Sequence, residues 1–206
     1  GETAEAARIL EAQVADYPED VEARTLWASL LLAMGRYDDA TRQYASLARI
    51  EPGEPRHAWN QAQAARRAGK LGASYLALCQ YVRANDRGEG AASRQSEAQR
   101  YIQMFERVAA KEHPEVSPER VARAEELFDR AYQHLAASRM EDAVGGFEAV
   151  ITLVPSHYPS WGNLGAAYVT VGRTDDAERC LKKELGYRPG YEPALKNLSS
   201  LGEVMQ

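Results

Sequence analysis

The 206-residue sequence predicts an all-α fold built from repeated helix-turn-helix units. Three observations carry that prediction. Apolar residues recur at spacings of three and four, the period of one helix face. Most glycines and prolines fall between those stretches, where they stop short helices. One hexapeptide returns almost unchanged, as GRYDDA at 35–40 and GRTDDA at 172–177.

The stretch Tyr158–Tyr191 sets the period. Its first helix carries Trp161, Leu164, Gly165 and Tyr168 on one face, and Gly172 ends it. Its second carries Ala177, Leu181 and Leu185, and Pro189 stops it. Trp, Leu-Gly, Tyr, a turn Gly, a small Ala and a closing Pro within 34 residues resemble a tetratricopeptide repeat. That resemblance implies a right-handed solenoid of helical hairpins. It also implies that the first helices line a concave groove holding a peptide or partner protein.

Residues 2–16 read as the second helix of an incomplete repeat, with Ala6 and Leu10 packing and Pro18 closing it. A half repeat at this point predicts a native chain that continues N-terminally. The unit 21–54 has Trp27, Ala28, Leu31, Gly35, Ala40, Tyr44 and Pro52 in register. The unit 55–88 keeps Ala58, Ala62, Ala65, Gly69, Ser74 and Leu78, but Asp86 stands in for the closing proline. With the half repeat these form an N-terminal segment, 1–88.

The period breaks over 89–123. DRGEG at 86–90 reads as a loop and Ser93–Glu112 as one long helix. Its apolar stripe is Ala98, Tyr101, Ile102, Phe105, Val108 and Ala109. His113-Pro114 ends it, and Ser117-Pro118 caps and opens the next helix. The segment reads as an extra long helix joining two repeat pairs, or as a decayed repeat. The C-terminal segment, 124–206, resumes the pattern. The unit 124–157 restores Ala131, Ala143, Phe147 and Pro155, with Ser138 in place of the turn glycine. After the unit 158–191, Glu192–Val204 reads as a lone terminal helix, with Leu195 and Leu198 covering the end of the core.

The chemistry-bearing residues point away from catalysis. Cys79 and Cys180 sit among apolar helical neighbours and read as buried small side chains. His57, His113, His134 and His157 lack any metal-ligand spacing and read as surface or capping residues. No nucleophile elbow, P-loop or dinucleotide fingerprint occurs. The Asp pairs at 38–39 and 175–176 read as helix-start acids, and Gly162 and Gly165 as packing glycines. The expectation is a non-enzyme with no cofactor or metal. A net charge of −5 gives no general case for nucleic acid, and the sequence contains no run of 18 apolar residues of the kind that spans a membrane. The preference for Arg over Lys points to a GC-rich bacterial genome.

The resemblance also assigns groove positions, residue by residue. In the unit 55–88 they are Arg56, Trp59, Asn60, Gln63, Arg66 and Arg67. The unit 124–157 contributes Phe128 and Tyr132, the unit 158–191 contributes Asn163, and the terminal helix contributes Lys196 and Asn197. Aromatic and arginine side chains are the usual anchors of an interface, and an amide bonds a peptide backbone through both donor and acceptor. The unit 55–88 holds six cations against one acid, so an acidic partner segment is expected there, its carboxylates forked by arginine. The alternative is a solvated basic face paired with Glu22, Glu51 or Glu54. Thr25, Ser29, Glu125 and Asp129 stand where the chaperone-tail subtype of the family needs amide and cations, so that subtype is not expected. Two further uses remain open: a regulatory or substrate-docking region of a larger enzyme, and self-association through repeat ends.

Overall fold

Apolar stripes bounded by a start signal and a stop become short helices, and neighbouring stripes pair them into hairpins. The computed structural model describes residues 2–204, with side chains over 3–201. Among the described residues there are eleven α-helices and no strand. None of these helices is long and apolar enough to cross a membrane. The chain divides into two compact units, Gly1–Val108 and Ala109–Gln206.

Unit 1 holds α1 (Glu2–Asp16), α2 (Val21–Ala33), α3 (Tyr37–Ile50), α4 (Pro55–Arg67), α5 (Leu71–Ala84) and most of α6 (Ala91–Glu112). Helices α2/α3 and α4/α5 are hairpins. Trp27, Leu31, Tyr44 and Leu47 fill the first core, with Ala28, Ala40 and Ala64 permitting close approach. Ala58, Ala62, Leu78 and Tyr81 form the second, completed by Ala98 of α6 with Tyr101 and Ile102 against it. The turn before α6 is tied down by Asp86, which accepts from Arg94 Nε and Tyr81 Oη at 2.9 Å each. The Gly88 N–H first, then Arg94 and Tyr81, hold the Asp86 carboxyl below its ordinary range.

Unit 2 holds α7 (Pro118–Ala136), α8 (Met140–Leu153), α9 (Tyr158–Thr170), α10 (Thr174–Tyr187) and α11 (Glu192–Val204). Its core is Phe147, Leu164, Leu181 and Leu201 around Ala131, Ala143, Ala167 and Ala177. Gly165 lets Leu181 in, since a Cβ there would lie 2.9 Å from Leu181 Cγ.

The ends of the helices follow the sequence closely. Asp20 caps α2 by accepting the Ala23 N–H at 2.9 Å, and Ser117 caps α7, which opens on Pro118. The repeated hexapeptide has a cause beyond a helix-start acid. Asp39 accepts from Arg36 and Arg42, and Asp176 accepts from Arg173 and Arg179, so each acid joins the arginine three before it to the one three after. The turns at Gly35, Gly69 and Gly172 have φ of 75°, 77° and 77°. Ser138 holds the same register with φ of 58°, a left-handed conformation that strains a residue with a Cβ.

Four expectations are corrected. Ala6 is exposed, and α1 packs through Ala7 and Val14 together with Leu10, which packs as expected. Leu195 is 47% exposed, because α11 packs through Ala194, Leu198 and Leu201. Val108 is exposed although it lies on the apolar stripe of α6. His57 and His113 are buried, not surface residues: His57 Nε2 bonds Glu51 at 2.8 Å, and His113 Nδ1 bonds Ser156 at 2.7 Å.

Two stability measurements check this packing. Ala40→Phe and Ala177→Phe fall at sites with 0% exposure and are each expected to destabilise by about 1–3 kcal/mol in denaturant unfolding. Ser138→Gly is expected to stabilise by about 0.5–1 kcal/mol, the relief of strain exceeding the added freedom of the unfolded chain.

Candidate functional site

The outward positions of the first helices form the candidate site, and the two units carry different chemistry there. In unit 1 the arginines are not equivalent. Arg66 Nη1 bonds Glu97 of α6 at 3.0 Å, and its guanidinium lies 3.9 Å over the Tyr101 ring. Gln63 Nε2 donates to the same carboxylate at 3.4 Å. Arg56 and Arg67 are exposed. The expected neutralising acids, Glu22, Glu51 and Glu54, do not hold Arg66; Glu97 does. Glu97 lies 34 residues from Gln63, but in the stretch where the repeat signature is lost. Lys70 pairs with Asp38 at 2.8 Å. Trp59 is half-buried against Tyr81, ring centroids 5.2 Å apart, so part of that ring serves the core. Asn60 is half-buried beside it in sequence.

In unit 2 the same face is mostly apolar. Phe128 is half-buried, packed on Phe147 at 5.6 Å and on His157 at 5.0 Å. Tyr132 stacks on Phe128 at 6.3 Å yet is 55% exposed. Val169 of α9 is 41% exposed. Asn163 donates through Nδ2 to the Pro159 carbonyl of its own helix at 2.8 Å, so one amide hydrogen is already used. On α11, Lys196 is exposed and Asn197 half-buried.

Sequence reasoning missed a cleft on the second-helix side of unit 2. It measures about 550 Å³ and has an apolar floor of Ile151, Trp161, Leu164, Tyr168 and Cys180. Arg179, Lys182, Lys183, Glu148 and Asp176 rim it. Tyr168 Oη donates to Glu148, and burial together with that carboxylate pushes the phenol up. Burial likewise pushes the Cys180 thiol up to about 11, which leaves it an unreactive thiol at neutral pH. Cys79 and Cys180 form no disulfide. Among the described residues, no group of three or more His, Cys, Asp or Glu side chains is placed to hold a metal ion.

A pair of imidazoles lies behind the unit 2 face. His113 and His157 rings are 6.3 Å apart, nearly parallel. His157 Nδ1 bonds Ser160 Oγ at 2.9 Å. Burial first, and the neighbouring imidazole second, push His157 down to about 4. Burial lowers His113 as well.

Comparison with known proteins adds a family. The family described as tetratricopeptide repeat matches residues 1–65. A relative is the tetratricopeptide repeat and J domain-containing co-chaperone DNJ1 of Fusarium oxysporum f. sp. lycopersici, 32% identical over 75 residues. That match covers 36% of this chain and 14% of the relative's length, so the chain spans a small part of it. Among solved structures, the TPR domain of P58(IPK) is similar at a TM-score of 0.46 and 14% identity, covering 98% of this chain and 60% of that one. The TPR2AB domain of yeast Sti1, solved in a complex with pHSP90, gives 0.40 and 15%, covering 98% and 78%. MamA gives 0.37 and 14%, covering 88% and 86%.

The imidazole pair generates a pH prediction. The folded state holds His157 neutral with a value near 4, against about 6.5 when unfolded. Its contribution is therefore complete above pH 6.5 and withdrawn as pH falls from 6.5 to 4, by roughly 2–3 kcal/mol. Urea unfolding of the full chain across that window checks it. His157→Gln is expected to flatten the slope.

Proposed function

We propose that this chain, a tetratricopeptide-repeat protein, serves as a scaffold that binds a peptide or partner protein along the outward faces of its first helices. The carrying observation is the exposure of large apolar side chains at those positions: Leu26 at 56%, Tyr132 at 55% and Val169 at 41%. A side chain of that kind on a helix otherwise packed by its opposite face is available to a partner. Basic residues accompany them in unit 1. There, Arg56 and Arg67 are exposed, and Arg66 is shared with Glu97. This supports an acidic segment with an apolar anchor as the ligand of that unit. Asn60, Gln63, Asn163, Lys196 and Asn197 supply the surrounding polar contacts in this reading. Activity as the docking region of a larger enzyme is compatible with the same faces, since docking and scaffolding use the same contacts.

The test captures partners from the source organism with the full chain, then compares variants. Loss of capture with Tyr132→Ser or with the double change Arg66→Glu and Arg67→Glu, but not with Arg8→Glu on α1, supports the reading. Capture that ignores both groove changes removes it. For an acidic ligand the arginine cluster sets the direction of two further effects. Affinity is expected to fall with added salt, because exposed charges are screened over about 10 Å at 0.1 M. Glu97→Gln is expected to raise affinity up to about fivefold, as it frees Arg66 from a partly exposed pair worth about 1 kcal/mol. Titration by calorimetry reads both.

A further inference from the structure

We propose that unit 2 carries a recognition point for a primary ammonium group, the lysine side chain of a basic partner segment, at the Glu184 carboxylate beside Gly162. The inference rests on the partner-binding reading above and names the ligand chemistry of its second unit.

The 34-residue register sets Glu184 apart. The corresponding second-helix positions are Leu47, Tyr81 and Val150, each a large uncharged core side chain at 0% exposure. Their first-helix counterparts are Thr25, Trp59 and Phe128. In the α4/α5 hairpin the place is filled by the Trp59 and Tyr81 rings. In the α9/α10 hairpin an acid replaces the uncharged residue, and glycine replaces the large side chain above it. A Cβ on Gly162 would lie 2.5 Å from Glu184 Oε2 and 2.6 Å from Oε1. The carboxylate therefore occupies the space where a side chain of the partner-facing helix would begin.

Glu184 is 4% exposed, and among the described residues no donor hydrogen-bonds its carboxylate. Burial pushes its carboxyl up, because desolvation disfavours the charged form. Arg188, one turn on, favours the ionised form. Its guanidinium, however, rests 3.9 Å over the Tyr191 ring and 5.0 Å from Tyr158. A buried acid left unpaired is costly, and a ligand cation that pairs with it relieves that cost. With the carboxylate lying against Gly162, the compact ammonium on a slim stem needs less room than the wide planar fork of arginine. A single carboxylate lacks the ligand set for a metal ion. The exposed Tyr132 and Val169 on the first helices of the same unit suit apolar residues flanking the lysine.

The test uses the full chain with ¹³C-labelled glutamate and n-butylammonium chloride as the probe, followed at Glu184 Cδ. Sodium chloride and guanidinium chloride at equal concentration are the controls. The expected result is a saturable shift with n-butylammonium, a titration midpoint lowered by at least one pH unit at saturation, and a weaker response to guanidinium. Gly162→Ala is expected to weaken the response, and Glu184→Gln is the folded, neutral reference for assigning the signal. A response no larger than that of sodium chloride, or a carboxyl that stays protonated to pH 8 with and without probe, overturns the proposal. Saturation supports the site whether or not a protein partner is captured. A partner captured on unit 2 whose affinity is unchanged by Glu184→Gln overturns this inference and leaves the scaffold reading standing.

Discussion

Close helix approach through one small residue governs this chain. Ala40, Ser74, Ala143 and Ala177 occupy one register in four second helices, and each is buried at 3% exposure or less. A methyl or hydroxymethyl group there lets the neighbouring backbone come near enough for the larger core residues to interlock. Gly146 and Gly165 do the same in unit 2, where an added Cβ would meet Ala131 and Leu181. No hairpin buries its apolar stripe alone, so each depends on the next, and a lone helix must close each series. In unit 1 the opening turns of α6 take that role through Ala98, and in unit 2 α11 takes it through Ala194, Leu198 and Leu201.

That division of labour leaves the outward face of each first helix free to vary. The packed face is held to apolar and small residues by volume. The opposite face answers only to solubility and to whatever binds there. The two units use this freedom differently. Unit 1 presents arginine and amide side chains, partly held by Glu97 and Tyr101. Unit 2 presents aromatic and aliphatic side chains over a buried acid. A ligand spanning one unit would thus meet a different chemistry from a ligand spanning the other.

The hairpins were legible because their spacing is strict. Trp27, Ala28, Leu31, Ala40 and Tyr44 are all buried as expected, and so are their later counterparts Leu164, Tyr168, Ala177 and Leu181. Two of the misreadings, Ala6 and Leu195, fall where a stripe has only one neighbour to choose its register. Helices α1 and α11 each pack on one side, and the alanine-rich start of α1 leaves Ala6 and Ala7 indistinguishable by composition. The site was legible in position but not in state. Arg66 falls at a groove position, yet its engagement depends on Glu97, 31 residues on, in a helix without the repeat signature. Trp59 was expected outside, but Tyr81 draws it partly inward, an aromatic pairing that a periodicity of three and four does not reveal. The cleft of unit 2 lies between helices that the sequence places only by order, so no linear spacing marks it.

Ser138 shows what is being repeated. Four turns in one register share a positive φ, and three of them use glycine. The fourth keeps the angle with a residue that pays for it in strain. A comparison of letters scores that turn as a lost motif, while a comparison of backbone torsions scores it as intact. The heritable element of this architecture is thus a dihedral angle, for which glycine is the easiest spelling but not the required one. Repeats that have drifted beyond recognition by alphabet remain countable by geometry.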